Sequence, residues 1–241
     1  MIISEKDWKK YIERLSSVNK QAADLIAEYI EKNGIEDRKA LIDYAYRVCA
    51  QYSNASAALT ALMYDTVAEL EKVLVPSAEL AMLPQYGEVA KTINGVLKTS
   101  ENVEEISSAV GRLVKRTGQD TLLQNAARDK AQFAWVPVSD TCAFCLTLAS
   151  RGWQNISKKA LKNGHAEHIH SNCDCSYAVR FSHTTDIAGY HPEVYKQMYD
   201  EAEGAKPKDK INTMRRMQYQ ENKDLINAQK REAYEKRKEV K

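Results

Sequence analysis

Glycine and proline are scarce, at nine and five in 241 residues, and the first glycine is Gly34. A chain with so few breakers should be mostly helical, with turns concentrated where those residues cluster. It also lacks any uninterrupted apolar stretch close to the roughly 20 residues that a membrane-spanning helix needs. The opening MIISEKDWKKYIERL is charged from the fifth residue and has no apolar core of the kind that directs export. Together these absences predict a soluble protein that is intracellular when made, in a compartment that keeps thiols reduced. Low-complexity sequence is nearly missing too. With 44% hydrophobic residues, the chain should bury one substantial core or two small ones.

Helical periodicity fills the first half. From Ser4, a plausible N-cap, apolar residues recur at Trp8, Tyr11, Ile12, Leu15, Val18, Ala22, Leu25, Ile26 and Ile30. The pattern stops at Asn33-Gly34, so one long amphipathic helix is expected over 4–32. A second should run from Asp37 towards Val75, where Pro76 ends it, with a break near Ser53-Asn54. Shorter helices are expected over 87–98 and 102–128. The latter opens with Asn102 and carries Glu105 three residues on, a variant of the capping box. Ala134–Val138 and Cys175–Phe181 are strand candidates.

Chemistry concentrates in the 46 residues Trp135–Arg180, which hold four of the five cysteines and three of the five histidines. The skeleton is Cys142-x-x-Cys145, then 24 residues, then His170-x-x-Cys173-x-Cys175. Two close pairs of soft ligands separated by a loop suit one tetrahedral Zn²⁺, which would hold the thiols ionised. In an extended Cys-x-Cys segment side chains alternate faces, so Cys173 and Cys175 share one side and Asp174 takes the other. The preferred ligand set is Cys142, Cys145, Cys173 and Cys175. His170 either replaces one of the last two or orients a ligand from behind it, and His168 and His165 come next. The competing reading is disulfides or unrelated buried thiols. Cys49 sits in the helical run YAYRVCAQY and reads as a small core residue.

Catalytic uses of the cluster fit less well. A zinc deaminase needs His-x-Glu upstream of Pro-Cys-x-x-Cys, but His165-Ala-Glu167 lies downstream of Cys142 and Cys145, and Pro137 is five residues before the first cysteine. A treble-clef nuclease of the His-Asn-His type is the better rival, through His165, His168, His170 and Asn172. The sequence shows no separate acid or base for it, so no enzymatic activity is expected.

Past the cluster, His191-Pro192 opens a short helix to about Gly204. Residues 206–241 then carry twelve Lys or Arg against six Asp or Glu. With a formal charge of +2 for the whole chain, that excess of six leaves the remainder at 2 − 6 = −4. The arm suits a polyanion or an acidic partner, with Lys206, Lys208, Lys210, Arg215, Arg216, Lys230 and Arg231 as candidate DNA contacts. A solvated helix with ion pairs such as Arg231 to Glu235 is the plain alternative. A third possibility is that Ile211, Met214, Leu225 and Ile226 dock the arm on another protein.

The expected architecture is mainly α. A helical bundle or elongated helical hairpin over 1–130 is followed by a small loop-rich zinc-binding lobe with short strands over 131–183. A C-terminal helical basic arm over 184–241 completes it.

Three stretches carry a resemblance. Within Gln124–Pro137 lies Arg128-x-x-Ala-x-Phe-Ala-x-Val-Pro137; Thr141-Cys-Ala-Phe-Cys145 opens the run to Gly152; and His170-Ser-Asn-Cys-Asp-Cys175 follows. In this order they resemble the MuF-type minor capsid proteins of tailed bacteriophages, also called phage head morphogenesis proteins. The likeness covers about residues 110–180. The sequence departs from many members in having no proline soon after Cys-x-Cys and in placing Asn172, rather than His, before Cys173.

The resemblance implies a low-copy, non-enzymatic virion protein, present in host cytoplasm before assembly and then in the head interior or at the portal vertex. Its implied partners are portal, capsid or scaffold proteins and packaged double-stranded DNA, with no membrane and no small-molecule substrate. Family members are sometimes fused to protease or toxin domains; residues 181–241 contain no recognisable catalytic constellation. A zinc-containing DNA-binding protein and the nuclease are the alternatives.

Overall fold

Strand β1 (Ile2–Ile3) leads directly into helix α1 (Glu5–Asn33). Ser4 caps the helix by accepting the Asp7 amide at 3.1 Å. At the other end Gly34, with φ of 74°, takes the left-handed region and sends its amide to the Ile30 carbonyl. Trp8, Ile12, Leu15, Ala22, Ile26 and Ile30 form the buried stripe. The computed structural model describes residues 2–137, 141–156, 175–223, 227 and 231.

Helix α2 (Arg38–Leu70) is capped by Asp37, which accepts the Ala40 amide at 3.0 Å. It does not break at Ser53-Asn54, contrary to the sequence expectation. Ser53, Ser56, Ala57, Thr60 and Ala61 are buried instead, because a helix needs small residues where another passes close. That neighbour is α4 (Val103–Asp129). A Cβ built on its Gly118 would sit 2.5 Å from Ser56 Oγ and 3.0 Å from Thr60 Oγ1. The short α3 (Tyr86–Leu97) packs on α4 and α2, and α1, α2 and α4 pack on one another. The helices therefore form a bundle rather than a hairpin. Its core includes Ile26, Leu41, Ile93, Ile106 and Val110, each contributing about 1.5–3 kcal/mol by leaving water. Asn102 Oδ1 accepts the Glu104 and Glu105 amides, but its own amide goes to Ser100 Oγ, so the capping box is only half formed.

Helix α2 stops at Leu70, five residues before the expected Val75. Lys72 adopts a left-handed φ of 56°, and residues 73–85 run as an extended strap back along the bundle. Side chains replace a partner strand in satisfying the strap's backbone. Asp65 accepts the Ala78 amide, Asn125 the Glu79 amide and Thr121 the Ala81 amide, all within 3.0 Å. Asn125 Nδ2 donates in return to the Glu79 carbonyl.

Strand β2 (Gln132–Val136) follows α4 and pairs antiparallel with both β3 (Gln154–Asn155) and β4 (Ser176–Arg180), in the order β3-β2-β4. Ala134 lies opposite Ala178, and Gln132 opposite both Asn155 and Arg180. The two strand candidates thus pair with each other. Strand β5 (Asp186–Ile187) pairs parallel with β1. These elements form one unit, Met1–Val138 with Trp153–Tyr190.

The second unit joins Ser139–Gly152 to His191–Lys241. Helices α5 (Ala143–Ala149), α6 (Pro192–Glu201) and α7 (Pro207–Glu221) enclose a small core of Ala143, Leu146, Ala202 and Met214, with Tyr195, Tyr199 and Ile211 against it. Ile211 and Met214, candidates for docking another protein, are therefore packed inside this unit. Leu225 and Ile226 lie outside the described residues. Among the described residues, no helix is long and apolar enough to cross a membrane.

Candidate metal ligands and DNA-contact residues

The segment that carries the histidines leaves from β3 and returns on β4, on opposite edges of β2. Its departure from β3 lies beside a polar cluster of the first unit, at the far end of β4 from its return. Arg180 donates to Gln132 Oε1 at 2.9 Å, to the Thr185 carbonyl at 3.2 Å and to Asp186 Oδ1 at 3.1 Å, and its guanidinium lies 4.6 Å from the Trp153 ring centroid. Trp153 Nε1 donates to the same Asp186 oxygen at 3.0 Å. Glu71, just past α2, accepts the amides of Phe181 and Ser182 and so holds the exit of β4 against the bundle.

Cys175 stands at the head of β4 and is 2% exposed. In the second unit, Cys142 occupies the N-cap position of α5 and is half-buried, and Cys145 is buried one turn on. His170 and Cys173 lie outside the described residues, as do His165, Glu167, His168 and Asn172. Among the described residues no three Cys, His, Asp or Glu side chains form a metal-binding group. Cys142-x-x-Cys145 at a helix start is nevertheless a pair of soft donors at a spacing that suits Zn²⁺. Cys49 is the expected core residue: it is fully buried, contacts Ser53 Oγ at 3.7 Å, and burial pushes its thiol up to about 11.

The basic arm is described as far as Lys223, with Asn227 and Arg231 beyond. Lys206, Lys208, Arg215, Arg216 and Arg231 are exposed, and Lys230 falls outside the described residues. Lys210 is engaged internally. Its Nζ donates to the carbonyls of Tyr199 and Asp200 at 3.0 and 3.1 Å and sits over the Tyr199 ring. A cation that satisfies the orphan carbonyls at the C-terminus of α6 stabilises that helix end.

Sequence reasoning missed the clamp at the end of α4. Tyr64 is fully buried and donates to Asp129 Oδ2 at 2.8 Å, while Arg128 forks onto both carboxylate oxygens at 2.8 Å. Arg128 also donates to the carbonyls of Pro76 and Ser77, fastening the strap. Burial alone would raise the Asp129 carboxyl, but the hydrogen bonds from Arg128 and Tyr64 outweigh it and hold the group below its ordinary range. Burial first, and the bond to Asp129 second, push the Tyr64 hydroxyl well up. The available signal was Arg128 itself, which opens the Arg-x-x-Ala-x-Phe-Ala-x-Val-Pro motif. The structure gives the motif's apolar members a packing role, since Ala131, Phe133, Ala134 and Val136 are all buried.

Comparison with known proteins places the chain in a class, that of phage-encoded proteins. The family model described as VG15 protein matches residues 2–202, and the chain belongs to that family. No curated protein and no solved structure matches it.

Proposed function

We propose that the chain is a structural minor capsid protein of a tailed phage, of the MuF head-morphogenesis type, built into the head near the portal and the packaged DNA. The observation that carries this reading is the ordered motif Arg128–Pro137, Thr141–Cys145 and His170–Cys175 within a phage family match. The motif runs from the clamp through the buried strand β2 to the first cysteine pair, so it reads as a framework for presenting the cysteine segment. On this reading Cys142, Cys145 and two of His170, Cys173 and Cys175 hold one structural Zn²⁺. Such an ion supplies cross-linking of loop segments, not catalysis. The bundle supplies rigidity, and the arm from Lys206 meets DNA or a neighbouring subunit.

Peptide mass mapping of purified virions, with electron microscopy of particles carrying a tagged copy, tests the assignment. The expected result is low-copy protein in mature heads at the portal vertex or interior. Absence from purified particles, with the protein abundant in infected cells, would refute it.

A further inference from the structure

Helix α1 carries a charge pattern that the foregoing reading leaves unused. Lys6, Lys9, Lys10, Arg14 and Lys20 are exposed. At about 100° per residue they fall with Glu13 and Ser17 on one face. The opposite face is the buried stripe that begins at Trp8, Ile12 and Leu15. Five cations there meet one carboxylate, and Glu5 and Asp7, exposed in the first turn, flank the face at its edges.

Elsewhere, several exposed or half-buried cations have partners: Lys39 pairs with Asp43, Lys196 with Asp200 and Arg116 with Glu88. None of the five on α1 makes an ion pair among the described residues, although Glu13 is one helical turn from both Lys9 and Lys10. From Lys6 to Lys20 is about 21 Å of helix, a length over which duplex DNA presents about six phosphates on each strand.

The same face turns acidic beyond this point, at Asp24, Glu28 and Glu31, all exposed. An antiparallel second copy of α1 would match these charges end to end. The face between them offers Ser17 and Gln21 but no large apolar side chain, and a stable protein interface needs an apolar core. A polyanion needs none.

We propose that the first four turns of α1 are a docking face for the phosphate backbone of double-stranded DNA, read without regard to sequence. The acidic turns that follow end the footprint near Lys20. The residues of this face are other than those of the C-terminal arm, and the proposal does not depend on where the protein resides in the virion.

The test is a binding titration of the full chain against a short mixed-sequence duplex, followed by fluorescence anisotropy across a salt series. If three to four phosphates are neutralised, raising salt from about 50 to about 200 mM should weaken binding roughly 40- to 150-fold. Combining Lys6→Gln, Lys10→Gln and Arg14→Gln should flatten the salt dependence by nearly three units of slope and lower affinity at low salt. Glutamine is a good helix former, so circular dichroism should be unchanged. Replacing Lys91 on α3 and Lys98 at its C-terminal cap by Gln should leave both binding and slope close to wild type.

Binding that survives the α1 triple change but disappears when Lys206, Lys208, Arg215 and Arg216 are neutralised would overturn the proposal and give the contact to the arm. Absence of DNA binding at low salt would overturn it also. So would salt-sensitive self-association that is lost in the triple variant while DNA binding persists, since the face would then belong to a second copy. Absence of the protein from virions, by contrast, would sink the capsid reading and leave this one standing.

Discussion

Gly118→Ala should destabilise the bundle, whereas Gly95→Ala should stabilise it. Both positions are inside helices, and alanine improves helix propensity by up to about 1 kcal/mol at each. The difference lies in what a Cβ meets. At Gly95 nothing lies within 4 Å, so the change should contribute about 0.5–1 kcal/mol. At Gly111 the new carbon lies 3.3 Å from the Asn19 carbonyl oxygen and 3.5 Å from Ala23 Cβ, and the two effects should nearly cancel. At Gly118 it lies 2.5 Å from Ser56 Oγ, 3.0 Å from Thr60 Oγ1 and 3.2 Å from the Ser56 carbonyl. The hydroxyl can rotate, but the backbone oxygen cannot without parting α2 from α4. Overpacking costs about 1–3 kcal/mol, which less the propensity gain leaves a net loss of up to about 2 kcal/mol, or up to roughly 8 °C in Tm for a chain of this size. Ser56→Ala removes the shortest contact, and in that background Gly118→Ala should recover about 1 kcal/mol. Urea titrations of the wild type, the four single variants and the double variant give the comparison. A Gly118→Ala protein as stabilised as Gly95→Ala would show that α2 and α4 do not approach as described.

Elemental analysis of protein purified under reducing conditions without chelator should find about one zinc per chain. A metal-free result defeats the assignment, as would equal thermal shifts for Cys142→Ser, Cys175→Ser and Cys49→Ala. Asp129 carries a pH-dependent contribution. Because its folded carboxyl lies below the ordinary value, the stability it provides is complete above about pH 4 and is lost as pH falls through the folded pKa. Asp129→Asn should therefore cost about 1–3 kcal/mol at neutral pH, with a deficit that shrinks below pH 4; an equal deficit at pH 7 and pH 3 would count against the clamp. His165→Ala and Glu167→Ala should leave folding intact, and a metal-dependent nuclease activity present in wild type but absent in these variants would promote the hydrolytic reading.

Local signals located much of this architecture. Ser4, Asn33-Gly34, Asp37 and Asn102 each act through atoms a few residues away, and α1, α3, α4 and the start of α2 fall within a residue or two of their expected limits. The strands β2 and β4 were also legible as short apolar runs beside turn residues, within two residues of their observed limits, though not their pairing. Long-range contacts were hidden. Ser53 and Asn54 look like a break in one dimension, but in the fold small side chains there admit α4. The early end of α2 lies beside Glu71, whose carboxylate is taken by amides more than a hundred residues further on. Lys210 read as a free cation because the carbonyls it serves belong to a helix ending nine residues earlier. Of the site, the sequence marked which cysteines and basic residues to inspect; of the Tyr64–Asp129–Arg128 clamp that fastens the strap it offered only Arg128, at the head of its motif, because both partners of that residue are set by the fold.

The pairing of β1 with β5 has a bearing on biosynthesis. Ile2 and Ile3 form their ladder with Asp186 and Ile187, and the chain leaves the first unit at residue 139 before returning at 153. At about 5–20 residues per second, the ribosome makes β5 roughly 9–37 s after β1. Until then the four bundle helices can associate, but the strand ahead of α1 has no partner and Glu71 no loop amides to grip. A nascent chain released or cleaved before about residue 190 would thus carry a formed bundle with an unsealed end, a form that chaperones and proteases would recognise and that a completed chain would not display.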